Sequence, residues 1–132
     1  MNKIIKYGLI ILGENSFLIN RKYGTKLFLM PGGKPELNET IEQCLIREIR
    51  EEHKCDLIPE TIKFFGEFED IAANEPNTII SMKVYLGKVE GNPSPNEEIE
   101  EQIWFRMTDD SSILSPIIKN KILPQIIKNN LI

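Results

Sequence analysis

The sequence predicts an α/β fold in which a mixed sheet carries helices on its faces. Three observations predict it. A helix-permissive stretch with a capping signal runs from Ile41 to His53. Runs rich in β-branched and aromatic residues lie on both sides of it. A second helical stretch, opened by Ser115-Pro116, lies near the end of the sequence. No internal repeat and no low-complexity tail interrupts this pattern.

In order along the chain, residues 3–12 are almost continuously apolar, the pattern of a strand buried on both faces. Residues 13–16 turn the chain and 17–20 read as a short return strand, followed by a polar loop over 21–25 with Gly24 in it. Residues 26–30 are predicted as a third strand, ended by Pro31. Pro31-Gly32-Gly33 is then predicted as a tight turn where backbone can approach a ligand closely. Beyond the helix, Pro59 starts a connection. Residues 62–70 and 78–89 read as a strand pair, joined by a loop over 71–77. Residues 91–96 form a loop rich in Gly, Pro and Asn, and 97–101 an acidic run. Residues 102–106, with Trp104 and Phe105, read as a short strand. The last helix is predicted from Ser115, as cap, to about Asn129. Pro124 inside it predicts a kink or break near Leu123.

The 132 residues suit one domain over 1–132, large enough for a core. Hydrophobic residues at 41% and charged residues at 27% are ordinary for a soluble globular protein. A net charge of −4 and a pI near 5.1 argue against a nucleic-acid polymer as partner, since that surface needs a basic stripe. No apolar run approaches the ~18 residues of a membrane span. The N-terminal residues 1–15 combine basic residues with a short apolar run, but without a small-residue cleavage site they read as strand and turn rather than signal peptide. Cys44 and Cys55 are the only cysteines, without CxxC or zinc spacing, and read as buried free thiols of a cytoplasmic protein. The single histidine, His53, reads as a helix-end residue rather than a ligand.

The helix carries the chemistry. Thr40 is a good N-cap and Gln43 completes a capping box. At about 100° per residue, Ile41, Cys44, Leu45 and Ile49 form one apolar stripe. Glu48 and Glu52 continue that stripe and Glu51 flanks it, while Glu42, Gln43 and Arg50 point away. Two carboxylates therefore stand where the helical period calls for core. Glu48 also lies three and four residues from Glu51 and Glu52, like-charge pairs that each cost roughly 0.2–0.5 kcal/mol in an isolated helix. A solvated acidic face would explain an ordinary Glu-Glu pair, but not one in this register. Converging carboxylates at a helix end make a hard-oxygen site for Mg²⁺ or Mn²⁺. Arg47, four residues before Glu51, can hold a carboxylate in a bidentate fork.

Gly33, five residues, Glu39, seven residues, then Arg47-Glu48-Ile49-Arg50-Glu51-Glu52 resembles the signature of the Nudix hydrolases. The departure is Lys54, where the family has glycine just past the helix; a left-handed exit there costs a non-Gly residue about 1 kcal/mol. Asn38 replaces another common glycine, and Asn tolerates left-handed geometry.

The resemblance implies a Nudix α/β/α sandwich and metal-dependent hydrolysis of a nucleoside diphosphate linked to another moiety. It implies Glu48 and Glu52 as principal metal ligands, with Glu51 as a third ligand, a water-holding residue or a base. The Gly32 backbone carbonyl would complete the shell, and Arg47 and Glu39 would orient the carboxylates. In MutT-like members a glutamate shortly before a tryptophan reaches the metal site; Glu98, before Trp104, matches that placement and would serve as base or extra ligand. Glu97, Glu100 and Glu101 are near enough to substitute for it, and the plain reading of all four is a solvated charge run. Substrate contacts are expected from Gly33 and from Lys34 beside the glycines, whose plain reading is a solvated loop lysine; Lys22 in the loop after the second strand and Met30 at the end of the third are further candidates, with solvent or packing as their plain reading. Phe28, Phe68, Asp70 and Asn77, and the polar group Asp109 to Ser112, are weaker candidates for the base pocket, with packing or solvent as their plain reading.

The leading expectation is a MutT-like enzyme that converts a (deoxy)nucleoside triphosphate, including oxidised or non-standard ones, to monophosphate and pyrophosphate. A nucleotide-sugar or dinucleoside polyphosphate hydrolase is the alternative within the class. A non-catalytic nucleotide sensor is the alternative of another class, and the presence of Glu39, Glu48, Glu51 and Glu52 argues against it. A plain interaction domain with a solubilising acidic helix is the third reading. The expected partner is a small-molecule nucleotide, with no membrane, and the expected state a monomer, with a homodimer as alternative.

Overall fold

The computed structural model describes residues 1–132. Strand β1 (Asn2–Ile10) runs parallel to β7 (Thr78–Leu86) in register from Asn2 opposite Thr78 to Ile10 opposite Leu86. The two-residue strand β4 (Gly32–Gly33) pairs antiparallel with β1, and β6 (Lys63–Ile71) pairs antiparallel with β7. The result is a mixed four-stranded sheet in the order β4-β1-β7-β6. A second, antiparallel sheet joins β2 (Leu12–Gly13), β3 (Ser16–Lys22) and β9 (Ile99–Phe105). A short ribbon pairs β5 (Asp56–Leu57) with β8 (Val89–Glu90).

Helix α1 (Ile41–His53) begins and ends as its sequence dictates. Thr40 accepts from the Gln43 amide at 3.1 Å, and the Gln43 side chain accepts from the Thr40 amide at 2.9 Å. The helix leaves through Lys54 in the left-handed region, φ 52° and ψ 35°. Asn38 is left-handed too, at φ 64°.

Alternation along the strands builds two cores. Leu9, Leu18 and Tyr85 face α1 and pack with Leu45 and Ile49. Their neighbours Ile10, Phe17, Ile19 and Val84 face the other way, toward Ile117, Ile118, Ile122 and Ile126 of the C-terminal helical segment. The sheets thus lie between α1 and that segment, an α/β/α sandwich. Full burial of side chains such as Leu45 and Ile49 contributes roughly 1.5–3 kcal/mol each. No helix is long and apolar enough to cross a membrane.

Several elements differ from the sequence-based expectation. Residues 26–30 form no strand; Leu29 makes one isolated bridge to Asn20 and Phe28 one to Leu114. That segment is held between two different partners, so no ladder can propagate. Gly32 and Gly33 lie in a strand rather than a tight turn, because the chain runs back along Tyr7 and Gly8. β1 is buried on both faces only at its end, from Gly8 to Ile10; its first half is largely exposed, since no helix covers both sides there. β3 and β9 are longer than read, and β9 takes Glu100 and Glu101 into the ladder, where Arg21 pairs with both. The last helical segment is irregular where Pro124 predicts it. A π-helical stretch, Ile118–Ile122, precedes α2 (Leu123–Lys128), and Pro124 sits in the first turn of α2, where its missing N–H costs least. Ser115 does not cap: its hydroxyl is buried without a partner, and only its carbonyl enters the helix, accepting from Lys119.

Candidate active site

The period of α1 sets the site. Because Glu48 and Glu52 extend the stripe of Leu45 and Ile49, they point inward beside β4 rather than to solvent. Glu48 is 16% exposed and Glu51 42%, so Glu48 lies within the site and Glu51 at its rim. A Cβ on Gly33 would stand 2.6 Å from the Glu48 carboxyl, so this carboxylate packs directly on the glycine strand. The Gly32 amide donates to Glu52 Oε1 at 3.0 Å, and Asn20 Nδ2 donates to the same oxygen at 3.4 Å. Gly32 has φ +130°, and a Cβ there would collide with the Tyr7 carbonyl, so only glycine fits.

Arg47 is the hub of the acidic cluster. Its Nε and Nη2 hold Glu39 in a fork at 2.7 and 2.9 Å. Its Nη1 donates to Glu48 at 2.6 Å and to Glu51 at 3.3 Å, and its Nη2 donates to the Lys34 carbonyl at 3.1 Å. Glu36 also pairs with Nε, at 2.8 Å. The fork goes to Glu39, and Glu51, four residues on, receives one longer contact.

The electrostatics follow from these positions. The Arg47 hydrogen bonds, then the Glu36 amide, hold the Glu39 carboxyl down at about 2. Burial raises Glu48 above the usual carboxylate range, and the Arg47 hydrogen bond opposes it. Burial pushes Glu52 up to about 8 despite the Gly32 amide. Burial likewise pushes the Cys44 thiol up to about 12, and both cysteines are free and buried. Lys6, on β1, is lowered by burial and by the nearby Lys22.

Loop 91–98 is stitched to the end of α1. Ser94 N donates to the His53 carbonyl at 2.9 Å, Asn96 N to that of Glu52 at 3.0 Å, and Asn96 Nδ2 to that of Glu51 at 2.9 Å. With Lys54 N on Arg50, the last four carbonyls of the helix are all satisfied. This places Glu97, at φ 49°, and Glu98 above the acidic face, with Glu98 3.4 Å from Lys22. Glu100 and Glu101 are drawn away to Arg21 and do not reach the site.

One cavity of about 400 Å³ gathers Glu48, Glu51, Glu52, Glu98, Arg47, Gly32, Gly33, Lys34, Lys22 and Met30. Glu39 lies outside it and acts on it through Arg47. Phe28 packs in the core, as does Phe68; neither lines the cavity, nor do Asp70, Asn77 or the group Asp109 to Ser112. Asp70 accepts from Asn120, and Asp110 from the amide and hydroxyl of Ser112. The cavity also contains residues the sequence did not single out: Lys6, Tyr7, Asn20, Glu36, Glu75, Leu29, Ile80, Met82, Ser115 and Ile117. Asn20 and Ser115 had no local signal, since a polar residue in a strand or at a helix start reads as exposed or capping.

The donor set is entirely hard oxygen and suits Mg²⁺ or Mn²⁺ in kind. The carboxylates are at present divided among protein donors: Glu48 and Glu51 on Arg47, Glu52 on Gly32 and Asn20. No three acidic, histidine or cysteine side chains converge on one point.

A family model of the NUDIX domain matches residues 4–124. An ADP-ribose pyrophosphatase of Methanocaldococcus jannaschii is 28% identical over 104 residues, which cover 77% of this chain and 60% of that protein. The chain thus spans about three fifths of the length of that curated relative. A nudix hydrolase family member from Chromobacterium violaceum superposes with a TM-score of 0.72 at 27% identity, over 94% of this chain and 76% of that one. A MutT NUDIX hydrolase from Burkholderia pseudomallei has the same fold, with a TM-score of 0.79 at 23% identity over 96% and 99% of the two chains.

Proposed function

The chain belongs to the NUDIX family, and on that premise we propose that it hydrolyses a nucleoside diphosphate-linked small molecule with the help of Mg²⁺ or Mn²⁺. The observation that carries this reading is the single cavity in which Glu48, Glu51 and Glu52 of α1 meet Glu98 from the loop and the lysines Lys6, Lys22 and Lys34. A polyphosphate cannot approach such a set of carboxylates unaided. A bound divalent ion would neutralise the phosphates, lower the pKa of water and steady the leaving oxygen.

The residues divide the remaining work. Glu48, Glu52 and Glu51, with the Gly32 carbonyl, are the groups that would hold the ion. Arg47, itself fixed by Glu39, orients Glu48 and Glu51. Lys34 and Lys22 face the phosphates with Gly33, whose missing side chain leaves room for close approach. Glu98 takes the proton of the attacking water as its oxygen bonds to phosphorus. The P–O bond on the opposite side breaks, and its electrons leave with the departing phosphate. Met30, Ile80, Met82 and Ile117 are apolar residues of the same lining, to which Ser115, its hydroxyl unpartnered, also belongs.

The substrate we favour is a (deoxy)nucleoside triphosphate, oxidised or non-standard ones included, cleaved to monophosphate and pyrophosphate, which would make the protein a nucleotide-pool cleaning enzyme. Free buried thiols suit the reducing cytoplasm. The second reading is hydrolysis of a nucleotide sugar or similar diphosphate, and the ADP-ribose pyrophosphatase relative favours it. A panel of nucleoside triphosphates, oxidised triphosphates, ADP-ribose and nucleotide sugars, each with Mg²⁺ or Mn²⁺, separates the two. Pyrophosphate release from triphosphates supports the first and cleavage of the diphosphate esters the second. Inertness toward the whole panel would refute both.

A further inference from the structure

The C-terminal end of α1 buries a chain of polar side chains that the reaction above does not use. His53 is fully buried. Its Nδ1 lies 2.6 Å from Gln102 Oε1 and its Nε2 lies 2.9 Å from Asn20 Nδ2. Gln102 Nε2 donates to the Pro93 carbonyl at 2.8 Å, and Asn20 Nδ2 also reaches Glu52 Oε1 at 3.4 Å.

Both ends of this chain are acceptors, which settles its direction. The Pro93 carbonyl can only accept, so the Gln102 amide nitrogen faces it and the Gln102 oxygen faces His53. His53 therefore carries its proton on Nδ1 and leaves Nε2 bare. The bare Nε2 accepts, as does Glu52 Oε1, which already takes the Gly32 amide, and the two hydrogens of the Asn20 amide serve both. Asn20 is 1% exposed, on β3, with its backbone bridged to Leu29 in both directions.

We propose that Asn20 is a positioning residue for the proposed reaction. Its amide fixes the orientation of Glu52 and, through His53 and Gln102, couples that carboxylate to the loop 91–98 that carries Glu98. The proposal rests on the functional reading of the previous subsection. It gives a reason for histidine at the end of α1: a buried ring with one donor and one acceptor edge spans the distance from Gln102 to Asn20. It also makes the two sources of carboxylate, helix and loop, parts of one hydrogen-bonded unit. A network that merely filled the core would affect stability and nothing else.

The test measures Mn²⁺ binding to the full chain without substrate, from the electron paramagnetic resonance of free Mn²⁺, beside kcat and KM. Asn20→Leu keeps the branched shape, with a somewhat larger side chain, and removes both donors. It is expected to weaken Mn²⁺ binding roughly 10–100-fold, the range for partners that orient metal ligands, and to lower kcat more than it raises KM. Asn20→Asp keeps the shape but places an acceptor against Glu52, and is expected to bind Mn²⁺ no better than Asn20→Leu. Gln102→Leu touches neither Glu52 nor the cavity, yet it should lower kcat, and its effect should be less than additive with that of Asn20→Leu. Asn20→Ser and Gln102→Leu keep the test alive if Asn20→Leu does not fold. Wild-type Mn²⁺ affinity and kcat in the folded variants would overturn the proposal while leaving the functional reading intact. Failure of the wild-type protein to bind Mn²⁺ would overturn both.

Discussion

The backbone amide of Gly32 donates to Glu52 Oε1 at 3.0 Å. A residue of β4 thus anchors a carboxylate in the last turn of α1, and joins the metal-ligand candidate of the helix to the glycine strand. Glycine is required at that point because φ is +130° and the Tyr7 carbonyl stands where a Cβ would go.

Replacing Glu52 by glutamine keeps the shape and the Gly32 contact but removes the charge. Transition-state stabilisation should fall by at least about 2–3 kcal/mol, the scale of one preorganised electrostatic contact. The fold should persist. Steady-state kinetics on the substrate found by the panel check this, and near-wild-type turnover would sink the assignment of Glu52.

The same carboxyl predicts a pH dependence of the chelated protein. Burial raises its folded value to about 8, above the ordinary carboxylate value in the unfolded chain. The fold therefore prefers Glu52 protonated. This stability is fully present below about pH 4 and is lost as pH rises toward 8. Denaturant unfolding in EDTA across that window should show a falling contribution in the wild type that Glu52→Gln abolishes. Identical pH slopes for the two proteins would contradict it.

The two glycines of β4 should respond differently to alanine. At Gly33 the new Cβ meets the Glu48 carboxyl at 2.6 Å, the far end of a flexible side chain. Gly33→Ala should cost less than about 1 kcal/mol of stability and at least roughly tenfold in kcat/KM, because the carboxylate must move. At Gly32 the Cβ meets the backbone of Tyr7 in a conformation that L residues avoid. Gly32→Ala should lose about 2–5 kcal/mol of stability. Thermal unfolding beside kinetics for both variants checks the contrast; equal stability losses would refute it.

Lys54 leaves the helix in the left-handed region. Lys54→Gly relieves about 1 kcal/mol of strain and adds a similar unfolded-state entropy, so the expected change is neutral or mildly stabilising. A loss above about 1 kcal/mol in chemical denaturation would show that the lysine side chain contributes in its own right.

Local rules made much of this protein legible. The pairing of β6 with β7 followed from two β-rich runs around a Pro76 loop, and the irregular last helix followed from Pro124. The segment 26–30 misled because strand composition says nothing about whether a partner continues alongside. The resemblance-based spacing to Trp104 pointed to Glu98, which lines the cavity, but the stitching of its loop to α1 by Ser94 and Asn96 was not legible.

By itself the sequence determined α1: its capping box, its stripe of Leu45 and Ile49, the intrusion of Glu48 and Glu52 into that stripe, and its end at His53. These are contacts within one or two helical turns, where a period of 3.6 and the dihedral preferences of single residues decide the outcome. Tertiary structure alone decided which donor each carboxylate meets. Arg47 forks Glu39 rather than Glu51, Glu52 turns to Gly32 and Asn20, and Ser115 lines a cavity instead of capping a helix. Those partners come from separate strands and loops, and hydrogen-bond geometry between distant segments is set by how the sheets pack, which no local period encodes.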